Sequence, residues 1–173
     1  VDLDMVRLGI AMYGMYPSEE VQKDKVPLKP ALGLKSFVTY VKELGPGEEI
    51  SYGGTYVTER TMRIATVAVG YGDGYPRSLS NCGYVLICGK RARILGRVCM
   101  DQIMVDVTDI LEADVDTPVT LIGKDGDEEI TMEHLAELCG GFHYEMVCDI
   151  GKRVPRVYYR GGKVVGTMDC FAE

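Results

Sequence analysis

Three glycine-flanked loops carry the side chains of this sequence that are best suited to chemistry. They span residues 51–56, 70–77 and 96–102, and each sets a tyrosine, a thiol or a charge beside residues that allow a tight turn. Loops of this kind often bind or react with a ligand, because the sheet beneath them fixes their position. These loops are therefore the candidates for an active site.

Tyr52, between Ser51 and Gly53, could act as a general acid or base. A free phenol has a pKa of about 10, so a base role requires a nearby cation or hydrogen bonds that favour the phenolate. Taken alone, Tyr52 is more simply interpreted as an aromatic residue of a turn. Tyr71 and Met100 are equally ambiguous when each is taken singly, since methionine most often fills a core.

The composition limits the classes of function. The 173 residues suffice for one domain with a core, or for one domain plus part of another. A net charge of −7 argues against a nucleic-acid surface, and no run reaches the roughly 18 apolar residues of a membrane span. The six cysteines and two histidines are not spaced as metal ligands, so we expect no metal. Reduced thiols are typical of a cytoplasmic protein, which is the expected localisation.

The order of apolar and turn residues predicts a mainly β protein. Residues 5–13 are almost continuously apolar, as in a strand buried on both faces, and residues 17–30 indicate a connection. Beyond residue 31, short strands between turn signals predict a closed or nearly closed β-barrel. The predicted strands are residues 34–43, 63–69, 84–88, 92–98, 103–108 and 119–122, with a final hairpin over 154–165.

One short helix is predicted among these strands. Thr131 suits the N-cap, apolar residues recur on one face from Met132 to Cys139, and Gly140 and Gly141 end the pattern. We place a domain boundary near residue 30.

Six blocks in a fixed order are more specific together than any one of them. They are MVRLGIAMYG (5–14), VKELGPGEEISYGGTY (41–56), GYGDGYPR (70–77), ILGRVCMDQ (94–102), YEMVC (144–148) and RVPRVY (153–158). The set closely resembles the alanine racemases, fold-type III enzymes that use pyridoxal 5'-phosphate (PLP), over essentially the whole chain. The resemblance implies that residues 1–30 end a PLP-binding TIM-like barrel with its last strand. It also implies that residues 31–173 form the C-terminal β-barrel-like domain.

The resemblance also implies roles for single residues at the cofactor. Tyr52 matches the catalytic tyrosine, and Arg7 matches the arginine that faces the pyridine nitrogen. Because a guanidinium is a poor proton donor, that nitrogen would stay unprotonated. Gly9 and Ile10 match the backbone segment that binds the phosphate, although Gly9 taken alone is a packing glycine in a buried strand.

Further matches lie around the substrate. Met100 matches the residue whose backbone amide contacts the substrate carboxylate, while Tyr71 and Arg97 match residues that line the access route. Tyr144 matches a tyrosine that hydrogen-bonds the phosphate and narrows the pocket, which favours alanine over serine. Residues 153–156 have no catalytic match, and we interpret them as an edge-strand or interface motif rather than a site.

Racemisation removes a proton from one face of a carbon and returns one to the other face, which two bases achieve. The second base in this family is the lysine that forms the aldimine with PLP, and no lysine of this sequence falls in its motif. The sequence begins at Val1 without an initiator methionine. We therefore expect a C-terminal fragment that is inactive alone.

The expected complete enzyme is a head-to-tail homodimer that interconverts L- and D-alanine for peptidoglycan. Two alternatives stay open: a serine or broad-specificity amino-acid racemase, and a non-catalytic association module derived from the same domain.

Overall fold

The computed structural model describes residues 4–172, whose regular secondary structure consists mainly of β-strands. The strands are β1 (Leu34–Leu44), β2 (Glu49–Ile50), β3 (Tyr56–Val57), β4 (Met62–Val67), β5 (Tyr84–Ile87), β6 (Lys90–Leu95), β7 (Ile103–Asp106), β8 (Pro118–Asp125), β9 (Glu128–Ile130), β10 (Arg156–Arg160) and β11 (Lys163–Met168). The helices are α1 (Met132–Cys139) and α2 (His143–Asp149). Single turns of 3-10 helix lie at Ile10–Tyr13, Tyr52–Gly54, Tyr71–Asp73 and Arg77–Leu79.

Six antiparallel strands close into a ring. The order is β1, β4, β7, β6, β5 and β8, and β8 pairs back onto β1. β1 serves both neighbours because residues 34–37 pair with β8 and residues 38–44 pair with β4. A register shift between Val38 and Tyr40 marks an irregularity where the strand changes partner. The ring-like sheet confirms the predicted mainly β fold.

The core lies within this ring and beneath the two helices. Residues from all six strands of the ring are fully buried, including Val38, Val67, Leu86, Ile94, Val105 and Leu121. Leu135 and Ala136 of α1 and Met146 and Val147 of α2 belong to the same cluster. Because apolar burial is the main favourable term in folding, this shared core anchors the helices to the ring.

Helix α1 has the ends that its sequence predicts. The Thr131 side chain accepts a hydrogen bond from the backbone N–H of His134 at 3.1 Å. Gly140 ends the helix with φ 63°, a left-handed conformation that glycine adopts without a steric penalty. No helix among residues 4–172 is long and apolar enough to cross a membrane.

The structure contains a second helix, α2, where the sequence predicted only one. It has seven residues, and its N-cap residue, Phe142, makes no side-chain hydrogen bond to it. A helix this short shows too little periodicity to be recognised, and Gly140 and Gly141 predict an end to the helical region.

Residues 5–13 do not form the expected barrel strand. Residues 5–8 have no regular secondary structure, and Ile10–Tyr13 form a 3-10 turn. A strand requires a hydrogen-bonded neighbour, and no strand within residues 4–172 pairs with this segment. Only Ile10 of this group joins the core, whereas Met5 and Val6 are largely exposed. The boundary near residue 30 stays a prediction, and the start of the 1–30 segment lies outside the described residues.

Candidate active site

Tyr52 lies at the tip of the turn that joins β2 to β3. These two strands form a short ladder of their own, with Ile50 opposite Tyr56. Tyr52 is 73% exposed, so its hydroxyl is free to meet a ligand. The preceding Ser51 has φ 66° and ψ −178°, a conformation that is costly for a residue with a side chain. The backbone that directs Tyr52 outward is therefore strained.

The loop at residues 96–99 holds this strained turn in place. The Ser51 hydroxyl donates to the carbonyl oxygen of Arg97 at 2.7 Å and lies 3.4 Å from the Cys99 sulfur. Gly96 permits the close approach, because a Cβ at that position would lie 2.5 Å from the Ile50 oxygen and 2.7 Å from Cβ of Ser51. The turn and the loop are thus fitted to each other.

Arg97 lies beside the same turn. A Cβ added to Gly53 would meet the central guanidinium carbon of Arg97 at 3.9 Å, and the Arg97 side chain is exposed. Asn81 supports the loop from behind, because its side-chain oxygen accepts a hydrogen bond from the Gly96 amide at 2.7 Å. The Arg97 guanidinium therefore lies near Gly53, the residue after Tyr52.

Tyr71 and Met100 are joined through their backbones. The Tyr71 amide donates to the Cys99 carbonyl at 3.0 Å, and the Gly72 amide donates to the Met100 carbonyl at 2.9 Å. Gly70 has no room for a side chain, because a Cβ would collide with the Met100 carbonyl. Tyr71 is 45% exposed and Met100 is 51% exposed. Both side chains therefore face solvent beside a rigid backbone junction.

The structure thus gathers four of the predicted site residues around the loop at residues 96–102: Tyr52, Tyr71, Arg97 and Met100. They offer two phenols, one guanidinium and a tightly anchored backbone. Phenols exchange protons, and a guanidinium binds carboxylates. The cluster therefore has groups that can bind a carboxylate and exchange a proton.

Arg153 belongs to this cluster, although the sequence predicted only an edge or interface role for its motif. Its guanidinium lies 3.3 Å from the Asp73 carboxylate and 2.5 Å from the Asp101 carboxylate. The hydrogen bond to Asp101, followed by the charge of Asp73, raises the pKa of Arg153. Asp73 and Asp101 lie in two of the predicted loops. Two neighbouring carboxylates require a cation, and this was the signal in the sequence that pointed to an arginine such as Arg153.

Comparison with known proteins identifies the family. A family model described as "Alanine racemase, C-terminal domain" matches residues 31–158.

The chain belongs to the alanine racemase C-terminal domain family.

Alanine racemases of known sequence agree closely with it. The enzyme of Halothermothrix orenii is 53% identical over 156 residues, which cover 90% of this chain and 41% of that protein. The enzyme of Methanococcus maripaludis is 48% identical over 156 residues, or 90% of this chain and 42% of that protein.

Solved alanine racemases share the fold. The Bacillus anthracis enzyme with bound L-Ala-P is 45% identical, with a TM-score of 0.86, over 92% of this chain and 41% of that one. The Clostridium difficile enzyme in complex with cycloserine is 40% identical, with a TM-score of 0.87, over 95% of this chain and 43% of that one. The chain spans about two fifths of the length of the racemases that it matches.

Four predicted site residues lie away from the Tyr52 cluster. Arg7 and Gly9 are exposed, Ile10 is buried in the core, and Tyr144 is half-buried on α2. The Tyr144 ring stacks on Phe142 with centroids 4.7 Å apart. No hydrogen bond described within residues 4–172 joins these four to the cluster.

Two findings concern metals and thiols. The part of the chain from residue 4 to residue 172 holds no group of three or more histidine, cysteine or acidic side chains that could bind a metal ion. All six cysteines are free.

Proposed function

We propose that this chain is the C-terminal part of a PLP-dependent alanine racemase and that Tyr52 is one of its two bases. Membership of the family supports the reaction class. The observation that carries the proposal is the exposed Tyr52 hydroxyl, held on a strained turn beside Arg97 and the Tyr71–Met100 junction. L- and D-alanine are the proposed substrates.

The chemistry of the donors outside the Tyr52 cluster suits PLP, and we propose that they contribute to its binding. We assign the Arg7 guanidinium to the ring nitrogen, and the Gly9 and Ile10 amides with the Tyr144 hydroxyl to the phosphate. A Cβ at Gly9 would meet nothing within 4 Å, so the backbone there is open to an anion. When bound, PLP would withdraw electrons from the amino acid and acidify its Cα proton.

The residues of this chain would then act on one face of the substrate. The Tyr52 phenolate takes the Cα proton, and the protonated phenol returns one in the reverse direction. Arg97 lies beside the same turn and lines the access route. The Met100 amide orients the substrate carboxylate, while Tyr71 narrows the route by which water enters.

We propose that the second base and the neighbouring subunit's part of the active site lie outside this chain. A base on the opposite face is needed, and we propose a lysine from the larger part of the enzyme, so that this chain is inactive alone. The exposure of Tyr52 suits a residue that serves the neighbouring subunit of a head-to-tail homodimer. We place the enzyme in the cytoplasm, where it supplies D-alanine for peptidoglycan.

The test replaces Tyr52 by phenylalanine in the complete enzyme. Exchange of the Cα proton with deuterated water is measured separately from L-alanine and from D-alanine. Because general acid–base catalysis contributes about 10²–10⁴-fold, exchange from one enantiomer should fall at least about 100-fold. Binding of PLP, followed by its absorbance, should be unchanged.

The matched control is Tyr40→Phe, an exposed tyrosine on β1 that is outside the cluster. Unchanged exchange from both enantiomers in the Tyr52 variant would show that Tyr52 is not the base. Faster turnover of serine or lysine than of alanine by the unmodified enzyme would overturn the substrate assignment. A complete protein that forms no D-amino acid would instead favour the association module.

A further inference from the structure

Arg153 connects the two loops that carry Tyr71 and Met100. Its Nε lies 3.3 Å from Asp73 Oδ1, and its Nη2 donates to Asp101 Oδ1 at 2.5 Å. The two carboxylates belong to different loops, so a single planar guanidinium bridges them. We call Arg153, Asp73 and Asp101 the arginine clamp.

The surrounding backbone is shaped to admit this guanidinium. A Cβ at Gly72 would collide with Nη1 of Arg153, so a side chain there would displace the guanidinium. The second carboxylate oxygen of Asp73 accepts from the Gly70 amide at 2.9 Å, and the Asp73 carbonyl accepts from the Gly151 amide at 3.0 Å. Asp73 therefore contacts three groups: the Gly70 amide of its own turn, the Arg153 guanidinium, and the Gly151 amide in the segment that leads into Arg153.

The clamp lies at the surface. The side chains of Arg153 and Asp101 are 45% and 60% exposed, and that of Asp73 is 16% exposed. Exposed ion pairs contribute little to the free energy of unfolding, because water and salt screen them. Removal of the clamp is therefore expected to change the free energy of unfolding little.

We propose that Arg153 is a positioning residue of the active site, which orients the Met100 amide and Tyr71 by fixing their loops to each other. This inference rests on the proposed function, because the Met100 amide is assigned there to the substrate carboxylate. Small displacements of positioning groups have large kinetic effects. Arg153 touches no substrate itself and acts only through the two loops.

The first test is kinetic and uses the complete enzyme. Arg153→Met and Asp101→Asn should each raise the KM for L-alanine about tenfold and change kcat by less than about threefold. The double variant should be no worse than Arg153→Met by more than about twofold, since Arg153→Met already removes the contact with Asp101. Arg153→Lys should recover only part of the loss, because an ammonium lacks the planar fork that spans two carboxylates.

The second test does not depend on activity. Hydrogen–deuterium exchange of peptides that cover residues 70–74 and 99–102 should be several-fold faster in Arg153→Met, since the Tyr71 and Gly72 amides bond across the two loops. The control is Arg160→Met, an exposed arginine on β10, which should change neither exchange nor KM. The melting temperature should stay the same in both variants.

The outcomes separate the two proposals. An active enzyme whose KM and loop exchange are unchanged in Arg153→Met would overturn the clamp alone. A fall in melting temperature that accompanies the kinetic loss would reduce Arg153 to a structural residue and also overturn it. An unmodified enzyme without racemase activity would overturn the proposed function and the catalytic purpose of the clamp, even if exchange at the loops increased.

Discussion

Replacing Ser51 by glycine and by alanine measures the strain in the backbone before Tyr52. With φ 66° and ψ −178°, Ser51 lies in a region that is essentially reserved for glycine. Both substitutions remove the hydroxyl that donates to the Arg97 carbonyl at 2.7 Å. They therefore lose the same hydrogen bond, worth about 0.5–1.5 kcal/mol, and differ only in backbone terms.

The expected difference follows from two opposing effects. Glycine relieves strain of about 1–3 kcal/mol, which alanine retains because it has a Cβ. Glycine also gives the unfolded chain more freedom, which costs about 0.5–1 kcal/mol relative to alanine. The Ser51→Gly variant should thus be more stable than Ser51→Ala by about 1 kcal/mol, the reverse of the usual order.

Urea unfolding followed by far-ultraviolet circular dichroism measures this difference, since the chain has no tryptophan. Ser80 is the matched control, because its hydroxyl also donates to a loop carbonyl, that of Arg77, while its φ is −54°. At Ser80 the alanine variant should be the more stable of the pair. A Ser51→Ala protein that is as stable as Ser51→Gly, or more stable, would refute the strain argument.

Two further predictions concern stability. Gly96→Ala should lower the free energy of unfolding more than Gly89→Ala. The two glycines have nearly the same φ, +74° at Gly96 and +72° at Gly89. A Cβ at Gly96, however, would lie 2.5 Å from the Ile50 oxygen, whereas a Cβ at Gly89 would meet nothing nearer than 3.8 Å. Equal losses in urea unfolding would contradict this steric account. Tyr75 is buried without a hydrogen-bond partner for its hydroxyl among the described residues, and burial raises its pKa. The folded state holds this proton more tightly than the unfolded state, so stability relative to Tyr75→Phe should be constant below about pH 10 and fall above it by up to about 1.4 kcal/mol per pH unit. If the difference in free energy of unfolding between the unmodified protein and Tyr75→Phe stays constant up to about pH 11, the raised pKa is disproved.

Local signals in the sequence predicted most of the fold. The strand predicted at residues 34–43 is β1, Leu34–Leu44, and the cap and stop residues of α1 lie where they were expected. These elements are encoded by alternation, capping and glycine, which act over a few residues. The strand expected at residues 5–13 is absent, and Ile10–Tyr13 form a 3-10 turn. A strand forms only where neighbouring strands pair with it, so its own residues do not suffice to predict it.

The glycine-rich loops at residues 51–56, 70–77 and 96–102 predicted which side chains gather in the candidate site. The arginine clamp was not predictable, because Arg153 and Asp101 are 52 residues apart and their pairing is set by the folded ring. The strain at Ser51 was equally hidden, since the turn packs against Gly96, which is far away in the sequence. Sequence patterns identify which loops matter, whereas long-range packing decides how their residues are held.

The way the six-stranded ring closes has a consequence for how the chain folds. β1 meets β8 across a separation of 85 residues, at Lys35 and Thr120. Until residues 118–125 have left the ribosome, both β1 and β5 lack one of their two neighbours. Contacts between such distant segments form slowly, because a long loop must close first. We expect the ring to assemble late and in a single cooperative event, after which each of its six strands has two hydrogen-bonded neighbours.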